Sequence, residues 1–141
     1  MQLPETAIAQ LKPFAVKAAG HSYSPYSHFP VGAAVITHSG AVYSGCNVEN
    51  ASFGLTQCAE RVALTSAISD GVLPEALTAL LIYTPGPVAH TPCGACRQVM
   101  HELMAAGSLV LSCCDGDETR IWTRDEYLPD PFVPEALKQS G

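Results

Sequence analysis

Leu77-Thr78-Ala79-Leu80-Leu81-Ile82-Tyr83, continuing to Thr84, is a mostly apolar run of strand length. Such a run suits a buried central strand of a parallel sheet. The segments on both sides fit that placement. After Pro85-Gly86-Pro87, which reads as a loop, Thr91-Pro92 supplies a cap and a first-turn proline. A helix is expected from about Gly94 to Ala106, with Cys96, Val99, Met100, Leu103 and Met104 on its apolar face. Ser108–Cys114 and Thr119–Thr123 follow as strands around the turn Asp115-Gly116-Asp117, and the proline-rich tail ends in a short helix from Glu135.

Before the apolar run, a helix is expected from about Gln57 to Ser69, capped by Thr56 and ended by Asp70-Gly71. Ahead of it lie a polar connection, Glu49 to Leu55, and two strands, Val31–Thr37 and Ala41–Val48, joined by the turn His38-Ser39-Gly40. His21 to Pro30 reads as a loop, where Tyr26 and Phe29 also fit as core anchors. The first helix spans Pro4 to Ala19, with Ile8, Leu11, Ala15 and Ala18 near helical spacing, Pro13 as a kink and Gly20 as a stop. The order α-β-β-α-β-α-β-β implies an α/β fold, a three-layer α/β/α sandwich around a five-stranded mixed sheet. No repeat or linker interrupts the chain, so residues 1–141 are expected to form one domain.

Composition narrows the function. Apolar residues make up 48% and charged residues 14%, which disfavours disorder. The formal net charge of −6 disfavours nucleic-acid partners, which need a basic face. No apolar run is long enough to span a membrane. Met1-Gln2-Leu3-Pro4-Glu5 lacks the basic region and apolar run of a secretory signal. Six cysteines without such a signal are expected as reduced thiols in the cytoplasm.

Cys58-Ala59-Glu60 and Pro92-Cys93-Gly94-Ala95-Cys96 carry the chemistry. Three thiolates can hold one zinc ion per subunit, and neither motif offers a fourth ligand. A vacant zinc position is the mark of a catalytic site, where water loses a proton near neutral pH. Cys58 falls in the first turn of one expected helix, and Cys93 and Cys96 bracket the start of the next. The partial positive charge of helix N-termini favours thiolates there. Zinc with three thiolates is net negative, so one or both of Arg61 and Arg97 are expected to donate hydrogen bonds to the sulfurs; surface arginines are the alternative. Glu60 is placed to take a proton from the water and later return it. It also fits as a first-turn carboxylate complementing the helix dipole. C-x-x-C alone fits a structural zinc half-site or a redox pair, and Cys46, Cys113 or Cys114 could close a four-thiolate site. Their placement in expected strands favours small buried hydrophobes instead. Asn47 and Glu49 alternate with Val48, so both side chains leave one face, where they could satisfy a hydroxyl as donor and acceptor or be ordinary loop polarity.

Cys58-Ala59-Glu60-Arg61 together with Pro92-Cys93-Gly94-Ala95-Cys96-Arg97-Gln98 resembles the zinc-dependent cytidine deaminases of the small homotetrameric type. The likeness extends over Tyr26 to Ala34, Gly45 to Ala51 and Leu128 to Phe132, and so over nearly the whole chain. The resemblance implies zinc on Cys58, Cys93 and Cys96, with Glu60 moving protons while water attacks C4 and ammonia leaves. It implies that the amide of Cys93 steadies the oxygen at C4 and that of Ala59 contacts the base carbonyl. Phe29 would pack against the base, and Asn47 and Glu49 would grip the ribose 3′-hydroxyl. That grip ignores the 2′-hydroxyl, so cytidine and 2′-deoxycytidine should serve alike in pyrimidine salvage. The resemblance also implies a homotetramer with shared active sites, in which Phe132 reaches a neighbour. Phe53 stands where many relatives carry tyrosine, which leaves 5′-hydroxyl recognition open. A deaminase of a modified pyrimidine such as blasticidin S is the nearest alternative, and a non-catalytic zinc module is the alternative of a different class.

Overall fold

The computed structural model describes residues 3–138, so Met1 and Gln2 of the segment considered above as a signal lie outside it. Five strands form one mixed sheet: β1 (Gly32–Thr37), β2 (Val42–Cys46), β3 (Leu77–Tyr83), β4 (Leu109–Cys113) and β5 (Thr119–Thr123). Their spatial order is β2-β1-β3-β4-β5. The apolar run is the central strand: β3 pairs antiparallel with β1 and parallel with β4. The outer pairs, β1 with β2 and β4 with β5, are antiparallel.

The pleat sends alternate residues of the buried strands into two cores. Ala34 and Ile36 of β1, with Ala79, Leu81 and Tyr83 of β3, pack against Ala7, Leu11 and Ala15 of helix α1 (Pro4–Ala19). Ala33, Val35, Leu80 and Ile82 face Ala63, Leu64 and Met100 of helices α2 (Ala59–Ser69) and α3 (Gly94–Leu103). The result is the expected α/β/α sandwich.

Two glycines let helices lie close on the sheet. A Cβ at Gly32 would stand 1.9 Å from the Ala15 carbonyl oxygen, and one at Gly45 would stand 2.7 Å from the Ala63 amide nitrogen. The second approach seats α2, and with it the start of the Cys58 motif, on β1 and β2.

Several boundaries differ from the sequence reading, each for a local reason. The second helix starts at Ala59, and Cys58 rather than Thr56 is its cap residue; Thr56 instead closes a short 3-10 turn. The third helix stops at Leu103 because Met104 turns extended and the Ala105 amide donates to the Leu77 carbonyl. Arg124 then binds the freed carbonyls of His101 and Met104, at 2.7 and 3.0 Å. β2 ends at Cys46, short of Asn47 and Val48, since Val48 leaves the sheet to bridge Tyr23 and Gln57. The expected short helix of the tail is a 3-10 helix, Pro134–Lys138, that starts one residue before Glu135.

Candidate active site

Cys58 and Cys93 occupy equivalent positions, each the extended residue that caps a helix with its own carbonyl. The Val62 amide donates to Cys58 and the Arg97 amide to Cys93, at 3.1 and 3.0 Å. Their sulfurs cap neither helix and are free to meet. Cys96 follows one turn into α3 and is fully buried. The three sulfurs lie within 4.8 Å of one another, and those of Cys58 and Cys93 are 4.0 Å apart. Tetrahedral zinc with Zn–S bonds of about 2.3 Å requires sulfurs about 3.8 Å apart, so the cluster fits one zinc ion.

The remaining thiols lie elsewhere. Cys113 packs in the core on the α1 side, where burial pushes its thiol up to about 11. Cys114 lies 3.6 Å from the Glu118 carbonyl oxygen. Cys46 ends β2. Among the described residues, the three-cysteine cluster takes in none of them.

Arg61 Nη2 donates to Cys58 Sγ at 3.2 Å. Hydrogen bonding with Cys96, followed by the Arg61 guanidinium, holds the Cys58 thiol down at about 5 against the opposing effect of burial. Cys96 is raised by the same sulfur–sulfur hydrogen bond and by burial. Metal binding to such a cluster releases the thiol protons. Arg97 does not make the same contact. Its Nε donates to the Pro92 carbonyl at 2.9 Å, and its guanidinium lies 4.9 Å from the centre of the Tyr127 ring. Of the two arginines expected to reach a sulfur, one or both, Arg61 makes the contact, and Arg97 ties down the turn that carries Cys93.

Glu60 is the second residue of α2 and only 5% exposed. Burial chiefly raises its pKa, and the neighbouring Cys58 adds to the effect. It shares a cavity of about 370 Å³ with Cys58, Cys93, Ala59, Phe29 and His90. A buried carboxylate with a raised pKa is suited to both accepting and returning a proton near neutrality.

Asn47 and Glu49 line the same cavity, but both already serve the fold. Asn47 Oδ1 accepts from the Val31 amide at 2.9 Å and from the Ser22 hydroxyl, while Nδ2 donates to the Phe29 carbonyl at 2.8 Å. Glu49 accepts from the amides of Tyr26 and Ser27, at 3.0 and 3.1 Å, and from the Ser27 hydroxyl, which holds its carboxyl below the ordinary range. These bonds fix the loop that presents Phe29. Phe53 lies outside this cavity, packed edge-on against Tyr26 at 5.8 Å in a smaller adjoining one. Phe132 is 61% exposed, with its carbonyl bound by Gln98 Nε2 at 2.9 Å. His90 is a cavity residue the sequence reading missed. It precedes the Thr91-Pro92 cap by one position, which was the only signal.

The family description "Cytidine and deoxycytidylate deaminase zinc-binding region" matches residues 6–112. A cytidine deaminase of Sporosarcina psychrophila is 49% identical over 140 residues, covering 97% of this chain and 96% of the relative. One from Halalkalibacterium halodurans is 48% identical over 124 residues, covering 87% and 92%. The crystal structure of cytidine deaminase from Burkholderia pseudomallei superposes with a TM-score of 0.83 at 40% identity, covering 93% of this chain and all of that one.

Proposed function

The chain belongs to the cytidine and deoxycytidylate deaminase family and is a zinc-dependent cytidine deaminase, and on that premise we propose how its residues divide the work. The observation that carries the assignment is Glu60, buried beside a three-thiolate cluster that has no fourth protein sulfur among the described residues. Zinc bound by Cys58, Cys93 and Cys96 supplies a Lewis acid that makes water a nucleophile near neutral pH.

Glu60 takes the proton that the attacking water gives up and passes it to N3 of the pyrimidine. Water oxygen bonds to C4, Glu60 then takes the second proton from the new C4 hydroxyl and delivers it to the amine, and the C4–N bond breaks. Cytidine and water become uridine and ammonia. Arg61 and the two helix N-termini offset the thiolate charge. Phe29 provides the aromatic wall for the base, while the amides of Ala59 and Cys93 orient the carbonyl and the oxygen at C4. Asn47 and Glu49 receive the ribose 3′-hydroxyl. Asn47 uses one amide hydrogen on Phe29 and keeps the other, and Glu49 retains acceptor capacity at the carboxylate.

The 3′-hydroxyl grip leaves the 2′ position unread, so 2′-deoxycytidine is a substrate as well, and the reaction serves pyrimidine salvage. One catalytic domain spans residues 1–141, which the single sheet with two cores supports. Exposed Phe53 and Phe132 support a homotetramer in which neighbours complete each site. Six free cysteines support a cytoplasmic location.

The test is loss of ultraviolet absorbance with purified protein on cytidine, 2′-deoxycytidine and a modified pyrimidine such as blasticidin S. The expected result is comparable loss with the first two, abolished by a chelator and restored by zinc. Turnover of blasticidin S alone would contradict the assignment.

A further inference from the structure

His90 and Phe29 meet edge to face over the cavity, with ring centroids 5.2 Å apart and planes at 80°. The backbones beneath both rings are pinned. The His90 carbonyl accepts from the Ser112 hydroxyl, and Ser112 is a buried residue of β4. On either side of His90, the Ala89 amide donates to Glu118 Oε1 at 2.5 Å, and cavity-lining Cys93 caps α3. The Phe29 carbonyl accepts from Asn47 Nδ2 at 2.8 Å, and its amide donates to Ser27 Oγ at 3.1 Å.

Phe29 still turns freely about its own side-chain bonds unless something touches its ring. It is 42% exposed, and its ring contact among the described residues is His90. Neither nitrogen of the His90 ring has a hydrogen-bond partner among the described residues, so the fold does not otherwise use the imidazole. Both residues line the cavity that holds Glu60 and Cys93.

We propose that His90 is a positioning residue for the deamination: its ring, packed edge to face on Phe29, holds the Phe29 ring at the angle on which the pyrimidine stacks. This rests on the reading in which Phe29 packs against the base. The contact acts through ring packing and not through a hydrogen bond to the substrate. Edge-to-face pairs of this kind contribute about 0.5–1.5 kcal/mol, which corresponds to roughly a twofold to tenfold change in an equilibrium constant.

The test is steady-state kinetics of the zinc-loaded enzyme on cytidine for His90→Ala, His90→Phe and His90→Asn, with Phe29→Ala as the reference. His90→Ala should raise KM by roughly twofold to tenfold with little change in kcat, zinc content or melting temperature, because the side chain is exposed. His90→Phe keeps an aromatic ring and should restore the wild-type KM, whereas His90→Asn should behave like His90→Ala. The double variant with Phe29→Ala should be no worse than Phe29→Ala alone. A wild-type KM in His90→Ala, or rescue by Asn and not by Phe, would overturn the proposal. Phe29→Ala with an unchanged KM would instead remove the stacking reading on which it rests.

Discussion

Arg61 Nη2 lies 3.2 Å from Cys58 Sγ, whereas the neighbouring motif's Arg97 turns away to the Pro92 carbonyl. Two arginines that each follow a cysteine motif therefore do different things. Arg61→Met should weaken zinc binding by roughly tenfold to a hundredfold, the usual effect of losing a partner to a metal ligand. Arg97→Met should weaken it less, since it loosens a turn and leaves every sulfur its partners. Competition with a chromogenic chelator measures both. Equal losses would contradict the division.

Gly45→Ala should destabilise the fold by about 1–3 kcal/mol, the typical cost of overpacking. Its Cβ would press on the Ala63 amide nitrogen and the Val62 side chain, each 2.7 Å away. Denaturant unfolding measures the change. Gly40→Ala is a useful contrast: a Cβ there meets nothing within 4 Å, but φ is +97°, so its cost comes from backbone strain alone.

Asp125 makes stability depend on acid. The Arg124 guanidinium, chiefly, and the Gly107 amide hold its carboxyl below the ordinary range. Because the folded value is the lower one, the contribution is complete above the unfolded pKa of about 3.9 and is lost as pH falls through the folded value. Asp125→Asn should therefore lower the melting temperature at neutral pH and converge with the parent in strong acid. The side chain is 51% exposed, so the effect is at most about 1 kcal/mol. A difference that grows on acidification would contradict this.

Phe53 gives a prediction about the 5′ side of the substrate. It packs on Tyr26 in the cavity next to the one that holds Glu60. Phe53→Tyr should lower KM for cytidine and leave 5′-deoxycytidine unchanged, as steady-state kinetics on the two nucleosides would show. An equal change for both would mean that the added hydroxyl does not reach the 5′ position.

The sheet was legible because β3 is a continuous apolar run and its flanking segments carry helical spacing. The metal ligands were legible because C-A-E and P-C-x-x-C place thiols at helix starts. Side-chain destinations were not. Arg97 is drawn off by Tyr127, a residue far along the chain that no local spacing connects to it. Asn47 stood out as a polar residue at a strand end, but the sequence gives no sign that its amide is bonded inward to Phe29 and Val31. His90 was missed because a single histidine in a polar connection has no periodicity, and only the fold brings its ring to Phe29.

The central claim is that Glu60 moves the protons while the three cysteines hold the metal. Glu60→Gln tests it, with zinc content and cytidine turnover measured on the same sample. The account predicts one zinc per chain and turnover reduced by a factor of about 10² to 10⁴, the usual contribution of a general acid–base group. Turnover close to that of the parent, with zinc retained, would contradict it.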